Sequence, residues 1–250
     1  MTPSRRPRLS VNVNKVATIR NSRGGSVPSV VEAVTACIAA GAPGITVHPR
    51  ADARHITAAD VRSIAAALAP LRGAIEYNIE GDPRPHLLAL IHEVKPDQVT
   101  LVPVRPGEIT SQAGWPPETP VAAIQETVRR LQDDGIRVSL FIDPEIDAAR
   151  WAASIGADRV ELYTEPFARA FAESAESGRA SFERYTEVAR LAHELGLGIN
   201  AGHDLDLSNL PLFRTLPHLD EVSIGHALVS RALFVGLDRA VREYLAALGA

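Results

Sequence analysis

Apolar and polar positions alternate along the chain in a repeating module. Short apolar, β-rich runs recur at LSVNVN (9–14), GITVHP (44–49), AIEYNI (74–79), QVTLVP (98–103), VSLFID (138–143), RVELYT (159–164), LGINAGH (197–203) and EVSIGH (221–226). Near-continuous apolar character of this kind fits parallel strands covered on both faces. Between the runs the apolar spacing changes to three and four. Val121, Ile124, Val128 and Leu131 share one helical face, as do Phe182, Tyr185, Val188, Ala192 and Leu195. Gly41, Gly135, Gly156 and Gly196 each close a helical stretch and lead into the next strand, where a left-handed cap is needed. Eight such units without a linker predict one α/β domain over residues 1–250, a (β/α)8 (TIM) barrel with extra helices. An open doubly wound sheet is the alternative; it more often has fewer strands and one glycine-rich phosphate loop.

Two connections exceed the minimum. VRPGEITSQAGWPPETP (104–120) is rich in Gly and Pro and leaves the fourth strand, which predicts a lid over the barrel mouth. TEPFARAFAESAESGRA, after the sixth strand, predicts an additional helix.

Composition narrows the function classes. The formal net charge of −4 gives no global field toward nucleic acid or an anionic membrane, so anionic substrates need a local cationic cluster. Cys37 is the only cysteine, which excludes an internal disulfide and a cysteine metal cage. The basic N-terminus lacks an apolar signal core and no apolar run reaches spanning length, so a cytoplasmic enzyme is expected. Lys15 and Lys95 are the only lysines, which limits any protein Schiff base to two candidates.

In a barrel of this type chemistry sits at the C-terminal strand ends. There the sequence places Asn12, Asn14 and Lys15 on strand one, His48 and Arg50 with His55 on strand two, Glu76 on strand three, Glu161 on strand six, His203 on strand seven, and Gly225 and His226 on strand eight. A single histidine at a strand end is commonly structural. A carboxylate among apolar neighbours needs a partner or a reaction. Convergence of His48, Glu76, Glu161, His203 and His226 on one rim carries more weight than any one of them. The glycines of NAGHD and SIGHALVSRAL allow close backbone approach to an anion after strands seven and eight. Lys15, Arg50 and His55 form a second cationic group, and Arg23 lies in the first loop. Two anion sites on one rim suggest two phosphorylated substrates.

The segments VNVNKVATIRNSRGG, GITVHPRADARHI, AIEYNI, SLFID, NAGHDL and IGHALVSRALFVGL, in this order, resemble the pyridoxine 5′-phosphate synthase family from about Leu9 to the C-terminal helix. The resemblance implies condensation of 1-deoxy-D-xylulose 5-phosphate with 3-amino-2-oxopropyl phosphate, releasing phosphate and water. It implies no metal, no organic cofactor and a homo-octamer. Carried over by motif, His48 and Glu76 are expected general bases, His203 a general acid and Glu161 a transition-state stabiliser. Asn12, Arg23, Asp204, Gly225 and His226 would hold the aminoketone phosphate. Asn14, Lys15, Arg50, His55 and Thr110 would hold the deoxyxylulose phosphate.

Three positions depart from the family pattern. Asn14-Lys15 stands where many members have Asp-His, Asp204 where some have glycine, and Tyr163-Thr164-Glu165 where some have His-Thr-Gly. Two other chemistries use the same residues: an aldolase or lyase with Lys15 as Schiff-base nucleophile, and a hydrolase binding zinc through His48, His203, His226 and Glu76.

Overall fold

The computed structural model describes residues 6–103 and 111–249. Eight parallel strands close into a barrel in sequence order: β1 (Arg8–Asn12), β2 (Gly44–Val47), β3 (Glu76–Gly81), β4 (Gln98–Leu101), β5 (Arg137–Ile142), β6 (Arg159–Tyr163), β7 (Gly198–Gly202) and β8 (Leu219–Ile224). The helices are α1 (Asn14–Asn21), α2 (Val30–Ala39), α3 (Ala58–Leu68), α4 (Pro85–Val94), α5 (Val121–Asp133), α6 (Ile146–Ile155), α7 (Glu165–Glu173), α8 (Ala175–Glu194), α9 (Leu210–Phe213), α10 (His226–Val235) and α11 (Leu237–Leu248). The expected extra helix after β6 is α7. Among the described residues no helix is long and apolar enough to cross a membrane.

Local chemistry fixes the helix ends. Thr57 and Asp60 form a reciprocal capping box at the start of α3, and Asp60 also takes Arg20 of α1 as an ion pair. Gly156 closes α6 at φ 86°, a conformation that glycine adopts without steric cost.

The two faces of the strands differ from the sequence expectation. Their outer faces are aliphatic: Val11, Ile45, Ile79, Val99, Leu140, Leu162, Ile199 and Val222 are fully buried in the main core. Fully burying side chains of this size stabilises the fold by about 1.5–3 kcal/mol each. The inner faces are polar instead of aliphatic. Ser10 and Thr46 hydroxyls lie 2.6 Å apart, Asn78 donates to Thr46, and Thr100 reaches both Asn78 and Glu161. Contacts between β4 and β6, which are not sheet neighbours, can only cross the lumen. Hydrogen bonding there satisfies groups that burial alone would penalise.

β3 is displaced by two residues from the predicted run, and this moves a candidate. Register pairs Gly44 with Glu76 and Asn78 with Gln98, so Glu76 opens the strand at the N-terminal end of the barrel. There it forms ion pairs with Arg8 at 3.2 Å and Arg137 at 2.7 Å. The expected placement of Glu76 at the mouth is therefore corrected. Glu80, four residues on and on the same face, occupies that place.

Candidate active site

A cavity of about 430 Å³ opens at the C-terminal strand ends, a size suited to a small ligand. Asn12, the last residue of β1, accepts the Asn14 N–H at 3.0 Å and so turns the chain into α1. Asn14 in turn accepts the His48 N–H at 2.9 Å, tying the ends of β1 and β2 together. Lys15 in the first turn of α1, Arg50 after β2, and His55 face the cavity beside them.

Electrostatics set the state of this margin. The Nδ1 of His55 accepts the Ile56 N–H at 2.9 Å, so the neutral ring carries its proton on Nε2. Burial, then Arg50 and Lys15, lower His55 to about 4. Burial first, and Arg50 next, push His48 well below the ordinary imidazole value. Both rings are neutral near pH 7, and the positive charge resides on Lys15 and the guanidinium groups. His48 Nε2 is buried and has no hydrogen-bond partner among the described residues.

Two carboxyls lie across the lumen from one another's strands. Glu80 sits 3.7 Å from His48 Nδ1, accepts Asn12 Nδ2 at 3.4 Å, and lies 3.5 Å from the Ser223 hydroxyl. Burial raises it to about 8. Burial, reinforced by the charge of Glu80, drives Glu161 well above the carboxylate range. Glu161 is 2 % exposed, and a Cβ at Gly202 would fall 2.3 Å from its Oε1, so only glycine there leaves room for the carboxyl. Groups that exchange protons near neutrality are suited to general acid–base chemistry.

The opposite margin is built from β7 and β8. His203 packs its ring against Phe141 and Tyr163, at centroid distances of 5.2 and 5.5 Å. Burial lowers its pKa, and neighbouring Asp204 opposes that shift. Gly225 approaches β1 so closely that a Cβ would lie 3.1 Å from the Asn12 main-chain oxygen. His226 opens α10, whose first N–H groups have no partner within the helix, and Gly225, His226 and Ala227 line the cavity.

Of the sequence candidates, the cavity brings together Asn12, Asn14, Lys15, His48, Arg50, His55, Glu161, His203, Asp204, Gly225 and His226. Glu76 lies at the other end of the barrel. That separation also dismantles the set imagined for zinc, and among the described residues no group of three or more His, Cys, Asp or Glu is placed to hold a metal. Arg23 is exposed and does not line the cavity, because the two turns of α1 carry it outward by about 12 Å. Thr110 lies outside the described residues. The sequence reading missed Glu80, Thr18, Arg54, Ser111 and Ser223, all of which line the cavity. A signal for Glu80 was present: it shares parity with Glu76 and precedes Gly81, where the strand leaves the sheet.

A family model described as "Pyridoxal phosphate biosynthesis protein PdxJ" matches residues 9–250. Curated relatives named pyridoxine 5′-phosphate synthase are 49% identical in Porphyromonas gingivalis and in Bacteroides thetaiotaomicron, each over 95% of this chain and 97% of the relative. A relative of the same name in Leptospira biflexa is 48% identical over 95% of both chains. Among solved structures, 3-keto-L-gulonate-6-phosphate decarboxylase from Vibrio cholerae superposes with a TM-score of 0.62 at 11% identity, covering 98% of each chain. The YdjI aldolase from Escherichia coli K12 gives 0.61 at 12% identity, covering 97% of this chain and 89% of that one. At such identities these two structures are similar in fold alone.

Proposed function

The chain belongs to the PdxJ family of pyridoxal phosphate biosynthesis proteins, and from that premise we propose that it is a pyridoxine 5′-phosphate synthase. The reaction joins 1-deoxy-D-xylulose 5-phosphate to 3-amino-2-oxopropyl phosphate and releases inorganic phosphate and water. The observation that carries the reading, beside family membership, is a proton-exchanging set between two margins fit for anions, all on one rim.

The residues have chemistry suited to each step. Lys15 and Arg50, with the Nε2–H of His55, offer charge and a donor to one phosphate. The backbone at Gly225 and the start of α10 offers N–H groups to the other. Imine formation between the amine of one substrate and the ketone of the other needs no protein nucleophile. His48, neutral and with a buried nitrogen unpartnered among the described residues, is suited to accept a proton from the joined intermediate. Glu80, raised to about 8, can give and take protons around neutrality and assumes the base role that motif matching assigned to Glu76. Glu161, held protonated, can donate a hydrogen bond to a developing oxyanion. His203, which lines the cavity, is suited to give a proton to a leaving oxygen as general acid.

The direct test supplies both phosphates and a chelator to purified protein and identifies product by mass. Pyridoxine 5′-phosphate is expected; its absence beside an active relative would overturn the reading. Borohydride added with the ketose phosphate is expected to leave Lys15 unlabelled, and a labelled Lys15 would instead support a Schiff-base aldolase. The proposal extends to a cytoplasmic homo-octamer. Leu233 and Phe234 on α10, 69 % and 86 % exposed, support a partner-covered face, and sedimentation at micromolar concentration tests it.

A further inference from the structure

β6 and β7 pair through Tyr163 and Gly202. Beyond that point two successive non-glycine residues, His203 and Asp204, adopt left-handed backbone at φ 80° and 59°. Such a pair is uncommon and persists only where its surroundings hold it. Two buried side chains supply the hold. Thr164, fully buried, stands at the N-cap position of α7, where a threonine hydroxyl ordinarily accepts a helix N–H. Its side chain makes no such capping bond. The hydroxyl is turned across to β7, within hydrogen-bond reach of the Gly202 carbonyl at 2.7 Å and of the His203 carbonyl. The Thr164 N–H donates to Gly202 O as well, at 3.0 Å. From the other side Asn209, 3 % exposed, donates Nδ2 to the Asp204 carbonyl at 3.1 Å, while its Oδ1 accepts the Asp206 N–H. Three consecutive main-chain carbonyls, those of residues 202, 203 and 204, are thus tied by two side chains that do not line the cavity.

We propose that Thr164 and Asn209 are positioning residues that hold the 203–204 turn, and with it the His203 imidazole, in the orientation that turnover requires. The inference rests on the reading of His203 as the general acid. Phe141 and Tyr163 limit where the ring can lie, but they press on its faces and edge only. Main-chain orientation decides where the ring is launched from, and that is what the threonine hydroxyl sets. The carboxyl of Glu161 lies against Gly202, so the same tie keeps the stabilising carboxyl and the acid in register. In the proposed reading the phosphates rest on Lys15, Arg50 and His55 and on the N–H groups at Gly225 and the start of α10, and the bonds of Thr164 and Asn209 to the 202–204 carbonyls touch none of these. Loosening the turn therefore reduces the rate of the proton-transfer steps and leaves ground-state binding in place.

The test compares His203→Ala, Thr164→Val, Thr164→Ser and Asn209→Ala by steady-state kinetics with both substrates, alongside thermal unfolding. His203→Ala is measured first. If it retains parental turnover, the reading of His203 fails and this inference falls with it. If it is inactive, Thr164→Val is expected to lower kcat about tenfold to a hundredfold, the scale of a displaced catalytic group. KM is expected to stay within about twofold, as for an interaction that matters in the transition state and not in the ground state. Thr164→Ser keeps the hydroxyl and should recover most of kcat. A folded Thr164→Val with parental kcat, a loss confined to KM, or a loss that serine does not restore overturns the proposal. Should Thr164→Val not fold, Asn209→Ala carries the same expectation of reduced kcat at unchanged KM. If that variant is parental in kcat, or also fails to fold, the pair is a structural support only and the inference is overturned.

Discussion

The two ends of the barrel both bury charge, but they use it differently. At the N-terminal end Glu76 is matched by Arg8 and Arg137, Arg137 also donates to Gln98 at 2.9 Å, and Arg159 donates to Asn200 at 2.8 Å. At the mouth Glu80 has long contacts, 3.7 Å to His48, 3.5 Å to Ser223 and 3.4 Å to Asn12; among the described residues His48 Nε2 has no hydrogen-bond partner, and at the other end neither do Glu76 Oε1 and Glu221 Oε2. Glu76 and Glu80 are on one face of one strand and are equally buried, at 7 % exposed. A buried carboxylate is thus a weak sign of catalysis by itself. What separates the two is whether the surrounding protein has already matched the charge or leaves it facing open space where a substrate can enter.

That comparison can be broken most directly at Glu80. Glu80→Gln is expected to reduce kcat by about a hundredfold to a thousandfold in a protein that stays folded, the range for loss of a general acid–base group. Next in size is Glu76→Gln, measured by urea unfolding and by kinetics on the same preparation. It leaves Arg8 and Arg137 without their carboxylate and should destabilise by about 2 kcal/mol, below the full cost of a buried pair because both arginines are partly solvated. Its kcat should remain within about threefold of the parent. A stable, inactive Glu76→Gln would erase the distinction between the ends.

Glu221 sharpens the comparison through pH. Burial, and then Glu76, raise it to about 8, while Arg159 and Arg8 pull it down. Its folded pKa lies above the unfolded value, so the stability it contributes is complete below about pH 4.5 and is lost as pH rises through about 8. Glu221→Gln should therefore raise Tm by about 2–4 °C at pH 8.5 and leave it unchanged at pH 4. A gain of the same size at both pH values would show that the carboxyl is not the titrating group. The smallest effect is expected on the outer helices. Arg62 and Glu93 pair at 2.7 Å with both side chains about half exposed, and Glu93→Ala should leave the thermal unfolding midpoint close to that of the parent.

Much of this was legible in the chain. Near-continuous apolar runs located all eight strands and three-to-four spacing the helices between them, because a barrel repeats one local solution and each copy carries its own apolar face. The strand-end rule gathered His48, His203 and His226 from three distant parts of the chain. Where it failed, it failed at Glu76. AIEYNIEG offers two glutamates of equal parity, and pattern alone cannot say which begins the strand and which ends it. Arg23 shows a similar limit: closeness to Lys15 in sequence says nothing about the direction in which α1 carries it.

Sequence by itself determined the class of fold, the order of its units and the residue types available for chemistry, since these follow from local periodicity and composition. Tertiary structure alone decided the register of β3 against β2 and β4, and hence which carboxylate reaches the mouth. It also decided the polar lining of the lumen and the tie of Thr164 to the 202–203 carbonyls. The physical reason is common to all three. Register, lumen contacts and backbone ties are relations between segments remote in the chain, fixed by hydrogen bonds that form only when the barrel closes.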